Sequence, residues 1–277
     1  KKIVSIYRHW IPNEKIITTN LWSSELTKLV SNAFLAQRIS SINSISSLCE
    51  ETGADINEVS KSVGMDSRIG NKFLNASIGF GGSCFKKDIL NLVYLFKHYG
   101  LEKEASYWNS VVDINKNQTS RVGKKILDSL NSNVNDKIIT IYGWSFKKNT
   151  NDSRESASIY LAKQMLKNMA FVNVFDPMVS EKRVKSDLEE VLEDEKLNQS
   201  NLLIERVKVH KDYKAAAKMS DAIVICTEWD EFKRFDWSQI YTLMKKPSWI
   251  FDGRNLLDAK RMIEIGFNIY SIGKTNS

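Results

Sequence analysis

Cysteine, proline and histidine are all scarce in this sequence: 277 residues carry three of each. The three cysteines, Cys49, Cys84 and Cys226, are odd in number and far apart. They offer no disulfide framework and no CxxC knuckle, and a reducing, cytosolic setting is expected from that usage. His9, His98 and His210 stand alone, which argues against a zinc enzyme. Apolar runs are as short as residues 222–226, against the ~20 residues that a membrane helix requires. No signal peptide is expected, and because the chain opens on Lys1 in what reads as the middle of something, a fragment is expected. Charge of one sign is also lacking. Forty Lys+Arg oppose 33 Asp+Glu for a net charge of +7, with both signs interspersed through residues 181–196. No basic stripe or nucleic-acid module accompanies that excess. A solvated charged surface is the plain reading, and a positive pocket for a phosphorylated small molecule is the functional one.

What is present is enough for a substantial core. The composition is 42% hydrophobic and 26% charged, and the length suits about two domains. Residues 1–20 hold an extended run at 15–19 after Pro12 and look like the tail of a preceding domain. From 22 to 52 the pattern is helical: Leu26, Leu29, Val30, Ala33, Ile45 and Leu48 recur at three- and four-residue steps, and Gly53 ends it. That helix is roughly 45 Å long. Its serine-rich middle (Ser40, Ser41, Ser44, Ser46, Ser47) lets another helix approach closely, as at a subunit interface or inside one domain.

A short helix follows, opened by a capping box at Asp55–Glu58. Then come the glycine loop Gly79-Phe-Gly-Gly82 and helices over 83–99 and 104–130. Beyond that the character changes. Strand-type runs at 137–142, 171–175, 222–226, 248–251 and 268–272, with a weaker one at 207–210, alternate with helical stretches, which argues for a parallel sheet covered on both faces. Residues 181–206 are highly charged and read as a surface insertion.

The stretch Gly79-Phe-Gly-Gly-Ser-Cys-Phe-Lys-Lys-Asp88 is the most informative. Glycines let backbone approach a ligand closely. A cysteine directly after them, at a helix start, meets free N–H groups and the positive end of the helix dipole, which favours a thiolate nucleophile. Asp88 lies one turn further on the same face, where a carboxylate can orient or deprotonate water; a buried cysteine with an ordinary helix carboxylate is the alternative. Lys28 and Asn32, at i and i+4, put an ammonium and an amide on one helix face suited to an oxyanion, unless Lys28 simply pairs with Glu25. After the 137–142 strand come Lys147 and Arg154, fit for phosphate. Asp176 ends the next strand as a ribose-binding carboxylate would, yet no glycine fingerprint surrounds it, so this half is Rossmann-like without needing to bind NAD. Phe251-Asp-Gly-Arg254 brings Arg254 to the same sheet edge.

Several long stretches together resemble the second half of the UDP-glucose 6-dehydrogenases of the animal type. They are Trp22-Ser-Ser-Glu-Leu-Thr-Lys-Leu-Val-Ser-Asn-Ala-Phe34, Ala36-Gln-Arg-Ile-Ser-Ser-Ile-Asn-Ser44, residues 79–88, Phe146-Lys-Lys with Arg154-Glu-Ser, Cys226-Thr-Glu-Trp-Asp230 and Phe251-Asp-Gly-Arg254. The resemblance runs over essentially the whole length. It implies a four-electron oxidation of a sugar C6 alcohol to an acid with reduction of two NAD+, and Cys84 as the nucleophile passing through a thiohemiacetal and a thioester. Lys28 would stabilise oxyanions or take part in proton transfer, Asn32 would help it, and Asp88 would assist the water chemistry. UDP-glucose would meet Lys28, Asn32, Phe80, Gly81, Gly82, Phe146, Lys147 and Arg254, and Arg68 would reach the substrate of a neighbouring subunit. Cys84 and Arg154 would touch the NAD cofactor. The resemblance also implies a homo-oligomer, dimeric through the long helix and possibly hexameric, with no nucleic-acid or membrane partner.

Departures accompany the match. The family's GxGxxG loop and catalytic glutamate are not in this sequence, and residues 1–20 resemble only the last helix and strand of its NAD domain. Asn75 replaces a lysine of the animal substrate loop, and 187–206 is shorter than its counterpart. The expected fold class is α/β: a remnant of an NAD domain at 1–20, an all-helical dimerisation segment at 21–135, and a Rossmann-like parallel-sheet UDP-binding domain at 136–277. The competing readings are a dehydrogenase of GDP-mannose or UDP-N-acetylmannosamine, or a non-catalytic oligomerisation and nucleotide-binding module.

Overall fold

The computed structural model describes residues 2–193 and 200–275. Its first part is helical: α1 (Lys2–Tyr7), the long α2 (Leu21–Thr52), α3 (Ile56–Gly64), α4 (Phe85–His98) and α5 (Glu102–Ser129). Helix α2 starts where the Asn20 side chain accepts the Ser23 N–H at 2.8 Å and stops at Gly53, which adopts the left-handed φ of 82° that glycine tolerates without strain. Its buried residues are mostly small or polar, among them Ala33, Ala36, Ser40, Asn43 and Ser46. Small residues permit close approach, and Ser40 Oγ donates to the Val111 carbonyl of α5 at 2.7 Å. The larger apolar residues of the expected stripe behave differently: Leu26, Ile45 and Leu48 are exposed on this chain.

The second part alternates β1 (Ile138–Tyr142), α6 (Ala157–Lys167), β2 (Phe171–Phe175), α7 (Glu181–Glu193), α8 (Ser200–Glu205), β3 (Val207–Val209), α9 (Tyr213–Ala217), β4 (Ala222–Ile225), α10 (Trp237–Leu243), β5 (Trp249–Asp252), α11 (Ala259–Ile265) and β6 (Asn268–Ser271). The six strands form one parallel sheet in the order β3-β2-β1-β4-β5-β6. The order reverses between β1 and β4, so the loops after them open at the point where ligands settle in such sheets. Strand β4 is buried along its whole length, as a central parallel strand covered on both faces must be. Among the described residues no helix is long and apolar enough to cross a membrane.

Three expectations need correction. Residues 16–20 have no strand partner; Lys15 ends a single 3-10 turn, Asn13–Lys15, and the chain then runs on without pairing. Asp55 caps α3 by accepting the Asn57 N–H at 2.7 Å, the bond of a simple N-cap. The charged stretch 181–206 is not a surface insertion where it is described. Helix α7 buries Val184, Leu188 and Leu192 in the main core and is the crossover between β2 and β3. Its charges lie on the outer face of an amphipathic helix, which a count of charges cannot distinguish from a loop. Residues 194–199 of that stretch lie outside the described residues.

One hydrophobic core joins the two parts, with Ile42, Cys49 and Ile56 of the helices packed in the same cluster as Phe251, Tyr270 and Ile272. Glu50 is the polar centre of the junction. Its Oε1 accepts the Tyr270 hydroxyl at 2.8 Å and the Gly273 N–H at 2.9 Å, and its Oε2 pairs with Arg121 at 2.8 Å. Glu50→Ala removes three partners at once and strands a partly buried guanidinium. Because Arg121 keeps 27% of its side chain in solvent, the expected loss is about 2 kcal/mol, read from the urea midpoint, below the full cost of breaking a wholly buried pair.

Burial also raises the proton affinity of groups in the interior: Tyr142, in a separate apolar cluster, and Tyr270 are held above the usual phenol range, and the Cys226 thiol is pushed from 9.0 up to about 12. Each binds its proton more tightly folded than unfolded. Their contribution to stability is therefore intact below about pH 9 and lost as pH rises toward the folded values, at about 1.4 kcal/mol per pH unit per group. Thermal midpoints should therefore hold level between pH 7 and about pH 8.5 and fall from about pH 9 to 11, and a flat profile over the upper range would contradict this account.

Candidate active site

The glycine loop runs from the end of α3 to the start of α4 and lies between the two parts of the molecule. The Asn43 side chain of α2 accepts the Ser77 N–H at 2.8 Å. On the sheet side, the Ile78 N–H donates to the Gly253 carbonyl and the Gly82 N–H to the Arg154 carbonyl, each at 2.8 Å. Glycine is required at 82: φ is +89°, and a Cβ there would stand 3.0 Å from the Phe146 ring. Phe80 turns its own ring into the helical core, against Phe85. It therefore belongs to the loop's anchor, while Gly81 and Gly82 form its face toward the sheet.

Cys84 follows at the N-terminal boundary of α4 and is exposed, whereas Cys49 and Cys226 are buried. Four residues on, Asp88 is buried, and its Oδ2 accepts both Lys28 Nζ and Asn32 Nδ2 at 2.5 Å. Lys28 thus pairs with Asp88 of another helix. That hydrogen bond is the main reason its ammonium sits above the ordinary lysine range; the charge of Asp88 and a smaller contribution from the Cys84 sulfur act in the same direction. Arg154, whose carbonyl accepts the Gly82 N–H, is the second cation whose charge reaches Cys84. Its guanidinium is gripped by Asp152 at 2.8 and 3.0 Å and is raised chiefly by that bond, with Cys84 again adding to it. The exposed sulfur is therefore within electrostatic reach of two cations, one from α2 and one from the loop after β1.

The sheet edge supplies the remainder. Lys147 Nζ stands 5.4 Å from the centre of the Phe146 ring, a cation beside a flat apolar face. Arg254 binds together the loops after β1, β4 and β5: it donates to the Cys226 carbonyl at 2.7 Å and the Phe146 carbonyl at 3.3 Å, and meets Glu228 at 3.3 Å. Arg68 is not brought here. It lies on an exposed turn, closed onto Asp66 at 2.6 Å. That turn is held to α2 through Arg38, ten residues (about 15 Å) along the helix from Lys28.

Asp176 does not serve a ribose. Its Oδ2 accepts the N–H groups of Trp144 and Ser145, the Ser145 hydroxyl and the Trp229 indole, and its Oδ1 accepts the N–H groups of Met178 and Val179. A carboxylate so fully engaged has no lone pair left for a sugar. The first crossover of this sheet therefore does not fit a dinucleotide. Sequence reasoning missed the partners that aim these groups: Asp152 for Arg154, Glu228 for Arg254, and Glu155, which takes Lys86 at 2.8 Å. Only the Asp152–Arg154 spacing was near enough in sequence to have shown it. A cleft of ≈ 660 Å³ lies behind the glycine loop, lined by Gly81, Gly82, Lys86 and residues of α5 and α6, and does not include Cys84, Lys28 or Lys147. The sulfur itself faces open surface.

Two family models match the chain. The UDP-glucose/GDP-mannose dehydrogenase family, central domain, covers residues 22–117, and the UDP binding domain of the same family covers 140–259. The chain is 50% identical over 277 residues to UDP-glucose 6-dehydrogenase of Drosophila melanogaster, covering 99% of this chain and 57% of that protein. With the enzyme of Pongo abelii it shares 51% over 276 residues, 98% of this chain and 55% of the other. It is also similar in structure to a UDP-glucose dehydrogenase from the hyperthermophilic archaeon Pyrobaculum islandicum, with a TM-score of 0.69 at 28% identity, over 89% of this chain and 51% of that one. The chain thus spans little more than half the length of the curated relatives it matches.

Burial separates the three thiols. Cys49 and Cys226 are raised mainly by desolvation, while Cys84 is exposed. Iodoacetamide at pH 7.5 should alkylate Cys84 about 100-fold faster than either of the others. Peptide mass spectrometry reads this directly, and equal labelling of the native chain would remove Cys84 from its special place.

Proposed function

The chain belongs to the UDP-glucose/GDP-mannose dehydrogenase family, and on that premise we propose that it is the substrate-binding, nucleophile-bearing portion of an NAD-dependent UDP-glucose 6-dehydrogenase. The observation that carries this reading is the exposed Cys84 at the start of α4, with the Lys28–Asp88–Asn32 cluster one turn away and Arg154 within electrostatic reach.

Substrate is held first. Lys147 and Arg254 at the sheet edge receive the diphosphate, Phe146 supplies an apolar face, and Gly81 and Gly82 let the sugar approach the backbone. NAD+, when bound, would supply the hydride acceptor for both oxidations, the C6 alcohol to the aldehyde, with its hydroxyl proton passing to water, and the cysteine adduct to the thioester. The Cys84 sulfur adds to the aldehyde carbon, and the resulting oxyanion is met by the Lys28 ammonium and the Asn32 amide, each of which has N–H groups beyond the one given to Asp88. The oxidised adduct is a thioester, which water opens to the acid and the free thiol. Asp88, already fixed by two donors, takes the proton from that water. Arg154 is the residue of this chain suited to the cofactor.

The same reading extends to the assembly. Leu26, Ile45 and Leu48 leave an exposed apolar stripe along α2, which supports dimerisation through the long helix, possibly within a hexamer, and Arg68 then reaches the site of a neighbouring copy. We assign residues 1–20, 21–135 and 136–277 to an NAD-domain remnant, a helical dimerisation segment and a UDP-binding domain, in a cytoplasmic protein. Taken by itself, a chain spanning so little of its relatives' length is expected to turn over little substrate.

Cys84→Ala in the enzyme expressed from its full reading frame should lower UDP-glucuronate formation by at least about 1000-fold. Undiminished turnover would contradict the assignment. Comparable turnover of GDP-mannose or UDP-N-acetylmannosamine by the unaltered enzyme would shift the substrate within the family.

A further inference from the structure

Helix α5 presents three side chains to the glycine loop at positions 115, 118 and 119, the i, i+3, i+4 spacing of one helix face. Gln118 donates to the Ser77 carbonyl at 2.8 Å and Thr119 to the Ile78 carbonyl at 2.9 Å. Asn115 differs from both. Its Oδ1 accepts the Phe80 N–H at 2.8 Å and its Nδ2 donates to the Phe80 carbonyl at 3.0 Å. One side chain thus fixes the peptide planes before and after a single residue.

Gly79 lies between these two sets of bonds. Its φ is +139°, a backbone state closed to ordinary side chains, and a Cβ there would stand 3.1 Å from both Asn115 Oδ1 and Thr119 Oγ1. The loop is pressed onto α5 at that point. Glycine also carries the freest backbone torsions in the chain, so what Gln118 and Thr119 hold at 77 and 78 is only loosely transmitted past 79. Of the three, Asn115 alone acts on the side of Gly79 that leads to Cys84. Beyond it the chain is closed from the opposite face, where the Gly82 N–H meets the Arg154 carbonyl and a Cβ on Gly81 would stand 2.5 Å from the Glu155 carbonyl.

We infer that Asn115 is a positioning residue for Cys84, setting through the Phe80 backbone where the sulfur stands relative to Lys28 and Arg154. It touches neither substrate nor sulfur. The inference rests on the reading of Cys84 as the nucleophile, and no part of it requires that Asn115 contribute more to stability than Thr119 does.

The test compares Asn115→Ala with Thr119→Val, which also deletes one side-chain bond to the loop but on the far side of Gly79, and with Cys84→Ala. Two readouts are taken. Hydrogen exchange of the Gly82 amide, which Asn115 does not itself bind, should quicken about tenfold or more in Asn115→Ala and stay within about threefold in Thr119→Val. In the enzyme from the full reading frame, kcat should fall at least about tenfold in Asn115→Ala with KM for UDP-glucose within about threefold, because the diphosphate contacts lie on the sheet. If Cys84→Ala abolishes turnover while Asn115→Ala leaves kcat and Gly82 protection unchanged, the inference is overturned and the nucleophile assignment stands. Equal effects of Asn115→Ala and Thr119→Val on both readouts also overturn it, since the clamp would then act only as general support. Activity surviving in Cys84→Ala overturns the reading beneath it. Should Asn115→Ala not fold, Asn115→Asp decides the matter: it keeps the acceptor for the Phe80 N–H and loses the donor, and must lower kcat with KM retained.

Discussion

A carboxylate taken out of water must find donors, and at Asp88 that constraint organises the candidate site. Only 3% of it is exposed, and an ionised group so placed costs several kcal/mol unless it is paired. Its donors come from 60 and 56 residues earlier in the chain, Lys28 and Asn32, one turn apart on α2. Satisfying one oxygen with two side chains from a single helix face fixes both the rotation of α4 and its register against α2. Cys84, one turn before Asp88, is thereby brought near a cation. Because most of the Lys28 side chain remains in solvent, the pair adds little to stability through its charge alone. What the pairing determines is geometry.

The sheet was almost fully legible in the sequence, and for a physical reason. Strands such as Ala222–Ile225 and Phe171–Phe175 are short, rich in β-branched or aromatic residues, and separated by helical patterns, so local composition reports them to within a residue of their ends. The long helix was equally plain from its period and from Gly53. What local pattern could not supply was the partner of a charged residue. Lys28 has Glu25 three residues away and bonds instead to a carboxylate on another helix. Asp176 has the position of a ribose ligand and is consumed by six donors within its own loops. Helix α7 has the charge density of an insertion, yet Val184, Leu188 and Leu192 fill the core. Each of these depends on which elements the fold brings face to face, and that is settled by packing over long sequence separations.

Asp176 also explains how a sheet with the strand order of a dinucleotide-binding fold is put to another use. The reversal of order between β1 and β4 leaves a crevice whichever ligand is to occupy it. Here the turn after β1 carries one tightly placed glycine, Gly143, where a Cβ would collide with Thr227 at 2.4 Å, and its N–H groups at 144 and 145 point at Asp176 and are unavailable to a phosphate. With that turn internally satisfied, the anion-binding capacity of the edge passes to side chains further along, Lys147 and Arg254. Arg254 is itself partly neutralised by Glu228. An anion arriving there would compete with a carboxylate, which favours a ligand carrying more than one charge over a lone monoanion.

The candidate site is therefore spread over elements that have no reason to meet except through the interface between helices and sheet. Lys28 and Asp88 are fixed by helix-on-helix packing, Arg154 and Lys147 by the loop after β1, Arg254 by the loop after β5, and Cys84 by a loop bonded to both sides. A movement of the sheet relative to the helices would carry Arg154 away from the sulfur while leaving Lys28 in place. It would also strain the Gly82–Arg154 and Ile78–Gly253 backbone bonds, which tie the glycine loop to the sheet. The Glu50 cluster and the shared core at Ile56 and Ile272 resist that movement well away from the chemistry. Stability at the junction and electrostatics at Cys84 are in this sense one property of the fold: both cations stay within reach of the sulfur only as long as the two parts stay docked.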